Sequence, residues 1–369
     1  MKIIFYDINL KNLQKYISDI VDKMIIDGQE IVLLYDEYDQ EGYDYYSNKE
    51  CLIMQNKALT YNGIQKILLN LKPDLFMVNA QRLSDSAFVT VAKSLNIKTG
   101  MIQHGMYIPF MKREKYYLIK KVLKTIKYFM YSQVIAKTIN KNRLFVFKSF
   151  YNTFVKGVIY KDAVNFIQYV NVDFILVYGE YWKEYHKDVF GYKLEQQYII
   201  GYHELNKVDA INSKQHEEDA VCYIAQTLVE DGRLDRNIME EFLINLLKYT
   251  PNKTIYVKLH PRTDKSLFLD KRFILLEKEI PNCRLYVGHY SSLIALLGYL
   301  KGDIVLYEFE GHSIPFYFKE FSNITNDYKD ILHTVSNNSN KIEPYFASGY
   351  TTSKVVNLIY KKINTNNLQ

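Results

Sequence analysis

Short apolar runs of strand-like composition alternate with longer segments of helical spacing along most of this chain. Residues 2–6, 30–35, 75–79 and 98–103 read as strands, and residues 10–27, 61–71 and 84–95 as helices. The turn Lys72-Pro73-Asp74 leads into the third of these strands, and His104-Gly105 closes the fourth. A second series begins near Asp173. Its strands lie at 174–178, 197–200, 221–228, 254–259, 284–287 and 303–307. Its helices lie at 180–189, 237–249, 291–300 and 351–363, with a further helix near 266–277 and a polar surface loop at 209–219. Strands that alternate with helices in this way predict parallel sheets covered by helices. Two such series predict an α/β chain of two Rossmann-like domains facing a cleft. The expected boundaries are 1–168 and 169–369, with a basic helical insertion at about 111–160 in the first domain and the closing helix 351–363 in the second.

Length agrees with that division, since 369 residues exceed one ordinary core and fit two domains of about 150–200 residues each. The opening Met1-Lys-Ile-Ile-Phe-Tyr reads directly as a strand, so no signal peptide is expected. No apolar run approaches the ~20 residues of a membrane span. Cys51, Cys222 and Cys283 are widely spaced and odd in number. They fit small core residues of a cytoplasmic protein better than a disulfide frame or a zinc site.

Charge changes the picture locally. The chain carries a net +6, yet residues 111–160 hold twelve Lys and Arg against Glu114 alone. Apolar and aromatic side chains interleave with these cations: Tyr116, Leu118, Val122, Leu123, Ile126, Phe129. Ile119, Val122, Leu123 and Ile126 share one helical face. Such a segment is either a solvated helical insertion or a basic amphipathic element for an anionic membrane surface. Nucleic-acid binding is not expected, because no DNA- or RNA-binding motif accompanies the charge.

Candidate chemistry collects just after strand-like runs, where an open parallel sheet places its ligand residues. Glu230-Asp231-Gly232 follows the run Cys222–Leu228. Glycine there permits a sharp turn and close backbone approach, and a carboxylate held there can take a proton from a sugar hydroxyl. The same three residues also make an ordinary acidic turn. About thirty residues on stands Lys258-Leu-His260-Pro261-Arg262. Pro261 keeps His260 extended, and an imidazole among cations can hold or protonate a departing phosphate. Tyr290-Ser291-Ser292 then opens a helix, either as a plain N-cap or as donors to a phosphate. In the first series Gln103-His104-Gly105 ends a strand, with His104 binding acceptor, acting as a base or holding the turn. No Walker loop or G-x-G-x-x-G is present, and no further Asp or His stands at metal-ligand spacing, so neither a cofactor nor a metal is expected.

In this order and spacing the motifs resemble bacterial GT-B sialyltransferases, in particular glycosyltransferase family 52 and the related polysialyltransferase-like group. Ile224-Ala-Gln-Thr-Leu-Val-Glu-Asp-Gly232 and Lys258-Leu-His-Pro-Arg262 carry the likeness, which covers about 221–300. Gln103-His104-Gly105 and Val177-Tyr-Gly-Glu-Tyr-Trp-Lys183 resemble a broader set of bacterial capsule, teichoic-acid and lipopolysaccharide transferases. The resemblance implies a GT-B fold and inverting, metal-independent transfer of sialic acid from CMP-sialic acid to an oligosaccharide or glycolipid acceptor. Asp231 would be the general base, and His260 would bind or protonate the CMP phosphate. Ser291 and Ser292 would hold that phosphate, with Pro261, Lys258 and Arg262 on the donor side. Glu230, Gly232, His104 and Gln103 would meet the acceptor. A cytoplasmic enzyme, peripheral on the inner face of the membrane through 111–160, would follow. Three alternatives stay open: a GT-B transferase with another cytidine-activated donor (Kdo-type acid or polyol phosphate), a nucleotide-sugar 2-epimerase-like enzyme, or a non-catalytic polysaccharide-assembly protein.

Overall fold

Thirteen strands form two sheets among the described residues, and every strand pairing in both is parallel. The structure, a computed structural model, describes residues 1–106, 118–156, 169–300, 302–332 and 342–364, with the side chains of 118–124, 150, 153 and 154 outside that description. The chain divides into two compact units.

Unit 1 is built on β1 (Lys2–Asp7), β2 (Glu30–Tyr35), β3 (Leu52–Gln55), β4 (Leu75–Val78), β5 (Lys98–Ile102), β6 (Phe174–Val177) and β7 (Gln197–Ile199), in the order β3-β2-β1-β4-β5-β6-β7. Phe5 of β1 lies beside Leu33 and Met77, so β1 is central. Ile3, Ile4, Phe5 and Tyr6 are all fully buried, which is why the strand reads as an unbroken apolar run. Gly100 in β5 is needed for packing: a Cβ there would stand 2.4 Å from Met77 Sδ and 2.5 Å from Phe174 Cζ. Around this sheet lie α1 (Leu10–Ile26), α2 (Gln40–Ser47), α3 (Tyr61–Leu71), α4 (Leu83–Ser94), α5 (Leu118–Thr138), α6 (Arg143–Phe154) and α7 (Glu180–Phe190). Helix α1 starts at Asn9, whose side chain accepts the Asn12 N–H, and it buries the stripe Leu10, Leu13, Ile17, Ile20, Val21 and Met24.

Unit 2 holds α8 (Asn206–Asn212), β8 (His216–Ile224), α9 (Arg236–Tyr249), β9 (Thr254–Lys258), β10 (Phe273–Leu276), β11 (Asn282–Gly288), α10 (Ser292–Leu297), β12 (Asp303–Tyr307) and β13 (Asn323–Thr325). Its sheet order is β10-β9-β8-β11-β12-β13. Counted from each unit's first strand, both sheets open 3-2-1-4-5-6, the Rossmann order, so each has a switch point beside its first strand where ligand residues collect.

Several expectations are corrected. The boundary falls at 203/204 instead of 168/169, because β6 and β7 extend the first sheet: Gly100 pairs with Phe174 and Ile175 with Gln197. The closing helix, α11 (Thr352–Asn364), belongs to unit 1 rather than to the second domain. It buries Val355, Val356 and Ile359, and Tyr350 and Thr352 hydroxyls both donate to Asp19 of α1 at 2.6 Å. In place of a helix near 266–277 stand a single turn of 3-10 helix at Lys265–Leu267 and the strand β10. Four apolar residues cannot tell helix from strand by period, and pairing with β9 from Ile255 to Lys258 decides it. The loop expected at 209–219 holds the end of α8 and the start of β8, whose first residues pair with Asn282 and Cys283. The strand expected at 221–228 ends at Ile224.

Of the basic insertion, Lys112, Arg113, Lys115, Tyr116 and Tyr117 lie outside the described residues, as do the side chains of Leu118, Ile119, Lys120, Lys121, Val122, Leu123 and Lys124. The face of α5 that packs is formed by Tyr131, Val134 and Ile135, while Ile126, placed on one helical face with Ile119, Val122 and Leu123, is 54% exposed. Lys127 Nζ pairs with Asp36 at 2.7 Å, and the Phe129 ring meets Phe147 of α6 edge-on. Among the described residues, no helix is long and apolar enough to cross a membrane.

Candidate active site

The acidic turn and the His-Pro turn meet because their strands are neighbours. Ile224 at the end of β8 pairs with Lys258 at the end of β9, and the Ala225 N–H bonds the Lys258 carbonyl. Past Ile224 the chain winds into a tight turn in which Asp231 N–H reaches the Thr227 carbonyl and Arg233 N–H the Leu228 carbonyl. Gly232 takes φ +63°, a conformation that favours glycine, and a Cβ there would meet nothing within 4 Å. Past β9, His260, Pro261, Arg262 and Thr263 form a turn closed by Thr263 N–H to the His260 carbonyl, 2.9 Å. Proline suits the second position of such a turn.

Two contacts join the turns. Arg262 Nη1 donates to Asp231 Oδ1 at 2.8 Å, and Arg262 Nη2 to Thr227 Oγ1 at 3.1 Å. Thr227 Oγ1 in turn donates to Asp231 Oδ2 at 3.1 Å. Glu230 Oε1 accepts the Asp264 N–H, while its other oxygen is buried without a hydrogen bond. A third loop joins them: the Gln226 amide oxygen accepts the Tyr290 N–H at 2.9 Å and its nitrogen donates to the Tyr290 carbonyl. Thus the segments around Asp231, His260 and Ser291 are tied together at the carboxyl ends of β8, β9 and β11.

Partial burial acts to raise the pKa of Asp231, but the Arg262 hydrogen bond and charge, Arg233 and the Thr227 hydroxyl outweigh it and hold the carboxyl below its ordinary value. His260 is exposed, and its Nδ1 accepts the Arg262 N–H at 3.2 Å, so the neutral ring carries its proton on Nε2. Ser291 caps α10, its hydroxyl accepting the Leu293 N–H at 3.2 Å, and Ser292 is the first residue of that helix.

Not every expected residue joins. Lys258 Nζ donates to the carbonyls of Leu259 and Glu277, at 2.9 and 2.6 Å, and is engaged in the β9–β10 connection. Its pKa is lowered, chiefly by burial. Gln103 is fully buried, with its amide oxygen accepting the Tyr178 N–H and its nitrogen donating to the Gly105 carbonyl. It ties β5 to β6 and is corrected from an acceptor contact to a framework residue.

His104 lies at the carboxyl edge of unit 1, its ring 4.2 Å from that of Tyr16 and its Nδ1 buried without a hydrogen bond. Burial, opposed by Asp7 and aided by Arg82 and Lys15, pulls its pKa down to about 4. Nearby stand four residues that the sequence reading passed over. Arg82 donates to Asp7 at 2.8 Å and, by a fork, to both oxygens of Asp85 at 2.6 and 2.9 Å, while Asn79 donates to Asp7 at 3.2 Å. Asp7 ends β1 and Asn79 follows β4, the two strands flanking the switch point. A polar residue just after an apolar strand run was the available signal.

No protein-family model matches this sequence, and no curated protein matches it. Solved structures do match in fold. A glycotransferase of kitacinnamycin aligns over 98% of this chain and 99% of its own, with a TM-score of 0.57 and 9% identity. A putative UDP-N-acetylglucosamine 2-epimerase from Listeria monocytogenes aligns over 99% and 97%, at 0.53 and 8%. A variant of the wall teichoic acid polymerase TagF with CDPG aligns over 100% and 90%, at 0.51 and 12%. The chain therefore has a GT-B-like α/β fold of two Rossmann-like domains.

Proposed function

We propose that this protein is an inverting glycosyltransferase that moves sialic acid, or a related nonulosonic acid, from a CMP-activated donor to a hydroxyl of a bacterial surface glycan. One observation carries the reading: Asp231, Thr227, His260 and Arg262 converge where β8 and β9 end. A carboxylate is there to take the acceptor's proton, and an imidazole and a guanidinium are there to meet a phosphate. Support for a nucleotide-sugar substrate comes from the neighbours, described as a glycotransferase, UDP-N-acetylglucosamine 2-epimerases and a teichoic acid polymerase.

In this reading Asp231 is the general base, and His260 donates through Nε2 to the departing phosphate. Arg262 and the Ser292 hydroxyl complete the phosphate contacts. Glu230 and Gly232 border the acceptor hydroxyl, and no metal takes part. Incubation of the purified protein with CMP-sialic acid, a CMP-Kdo-type donor, a CDP-polyol and UDP-N-acetylglucosamine tests it, with nucleotide release and sugar products followed by mass spectrometry. CMP release from CMP-sialic acid that survives excess EDTA is expected. Release of CMP or CDP only from the other cytidine donors would move the donor class. A 2-epimer from UDP-N-acetylglucosamine would make the protein an epimerase, and silence toward all four would favour an assembly role.

The place of action in this reading is the cytoplasmic face of an anionic membrane. Leu144, Lys148 and Tyr151 of α6 and its C-cap Val155 follow one another at helical spacing, and Leu144, Tyr151 and Val155 are 63, 43 and 47% exposed. A cleft of about 650 Å³ nearby is lined by Lys137, Lys141 and Arg143 without a carboxylate. Exposed apolar groups among cations suit shallow insertion between anionic headgroups. Changing Lys141, Arg143 and Lys148 to Glu should release the protein from phosphatidylserine vesicles at low salt. Lys127 is unsuited to that test because its charge holds Asp36. Equal binding by both forms would leave α6 a solvated helix.

A further inference from the structure

We propose that Arg262 is a donor-sensing gate on Asp231: it masks the carboxylate in the empty site, and the phosphate of an arriving nucleotide sugar draws it away. The proposal rests on the reading of unit 2 as a glycosyl-transfer site and adds to it how the base is switched on.

Both oxygens of Asp231 are occupied, Oδ1 by Arg262 and Oδ2 by Thr227, and Arg262 also grips Thr227. A carboxylate so held is a poor proton acceptor, and its depressed pKa says the same. The two partners differ in access to water. The Arg262 side chain is 61% exposed and that of Asp231 17%, so the arginine is the partner able to leave. Its next partner is at hand, because Arg262 shares a turn with His260 and bonds that ring through its own N–H. A phosphate that reaches His260 therefore arrives beside a guanidinium, whose fork suits phosphate oxygens as well as a carboxylate.

The surroundings of Asp231 are those of a group that can tolerate the exchange. Thr227 and Arg233 face it from its own turn, where Glu230 precedes it in the chain, Arg262 from the neighbouring turn, and Tyr290 from the loop after β11. Arg233 Nη2 stays 3.6 Å from Oδ2, so the carboxylate is not stranded when Arg262 moves. Loss of the Arg262 bond and the approach of an anionic phosphate both favour the protonated form, which raises the pKa of Asp231. The acceptor oxygen then bonds to the anomeric carbon while its proton passes to Asp231. The bond from the anomeric carbon to the phosphate oxygen breaks, its electron pair leaving with the nucleotide monophosphate. Arg262 returns when the nucleotide departs, and Asp231 yields its proton to water.

The test is a pair of pH profiles with the donor, since kcat/KM reports the free enzyme and kcat the donor complex. Activity needs Asp231 deprotonated, so each profile falls on the acid side through the carboxyl's pKa. In the wild type the acid limb of kcat should lie at higher pH than that of kcat/KM. In Arg262→Gln the separation should shrink to the remnant that the phosphate charge alone produces, and the donor KM should rise tenfold or more. Arg262→Lys should keep part of the separation. Coincident limbs in the wild type, or a full separation kept by Arg262→Gln, would overturn the gate. Calorimetric titration of CMP separates the two ideas. A wild type that binds CMP and turns over but shows coincident limbs loses only the gate, whereas one that neither binds CMP nor releases it from any donor loses the transfer reading and the gate with it.

Discussion

The carboxyl edges of the two sheets are built on the same plan and differ in one respect. Each has an acidic residue at or past the end of its first strand, Asp7 as the last residue of β1 and Asp231 beyond β8, and an arginine that grips it. Each also has a glutamine amide that knits two loops, Gln103 between β5 and β6 and Gln226 between the loops after β8 and β11. In unit 1 the arginine is largely covered: Arg82, its side chain 23% exposed, bridges Asp7 and Asp85, two carboxylates with no exposed surface. In unit 2 the arginine is in water. Removing one member of a buried pair strands a charge, whereas an exposed pair is worth little and opens readily. The same residue types thus serve as framework in one unit and as an exchangeable contact in the other.

The hardest way to break this comparison is at Arg82. Arg82→Met leaves Asp7 and Asp85 facing one another without a cation, and a loss of about 3–5 kcal/mol in stability is expected. Urea unfolding would check it, and a loss below ~1 kcal/mol would mean that water already screens the cluster. The matching change in unit 2 should act on rate and leave stability alone. Asp231→Asn keeps the shape and the Arg262 contact but cannot take a proton, so transfer should fall by about 10²–10⁴. CMP affinity, read by calorimetry, should stay within a few-fold. Turnover near that of the wild type would move the base elsewhere, with His104 the first candidate.

The histidines sharpen the contrast further. Burial holds His104, His186 and His289 at about 4, whereas His260 is exposed. In its neutral form His289 donates Nδ1–H to the Tyr307 carbonyl and accepts the Tyr223 hydroxyl at Nε2. A histidine near 6.5 when unfolded and near 4 when folded binds its proton more readily in the unfolded chain between those values. Stability from each is therefore whole above about pH 6.5 and is lost as pH falls toward about 4, at up to about 1.4 kcal/mol per pH unit. His104→Leu should flatten part of that slope in melts between pH 7 and 4.5. If it also leaves transfer intact, His104 belongs to the framework with Gln103. A loss of transfer with unchanged stability would return it to the acceptor side.

Most of the central strands were legible in the sequence because burial on both faces leaves an apolar run with sharp ends, as at 30–35 and 303–307. Elements whose identity depends on a partner were not. β10 is strand because β9 supplies its hydrogen bonds, and β3, with Leu52 half-exposed, is strand because β2 does. The boundary was misplaced for the same reason, since a strand such as β6 carries no mark of the sheet it joins. Within the candidate site the motif order located Asp231, His260 and Arg262. It did not show that Lys258 serves the β9–β10 connection, that Gln103 faces inward, or that Arg262 holds Asp231. Those depend on rotamer and neighbour, which spacing along the chain does not encode.

The smallest expected effects separate the two serines. Ser291 already accepts the Leu293 N–H as the cap of α10, so Ser291→Ala should cost about 1 kcal/mol of stability and leave CMP affinity nearly unchanged. Ser292 is the first residue of the helix and has no capping role there. If its hydroxyl meets the donor phosphate, Ser292→Ala removes one hydrogen bond, worth about 0.5–1.5 kcal/mol, and CMP should bind about 2–10-fold more weakly. Stability should hardly change. The reverse pattern, weaker CMP binding in Ser291→Ala with no loss of stability, would mean that the Ser291 hydroxyl leaves its cap for the phosphate. Unchanged CMP affinity in both variants would confine the start of α10 to helix capping. The donor phosphate would then rest on the His260 and Arg262 turn alone.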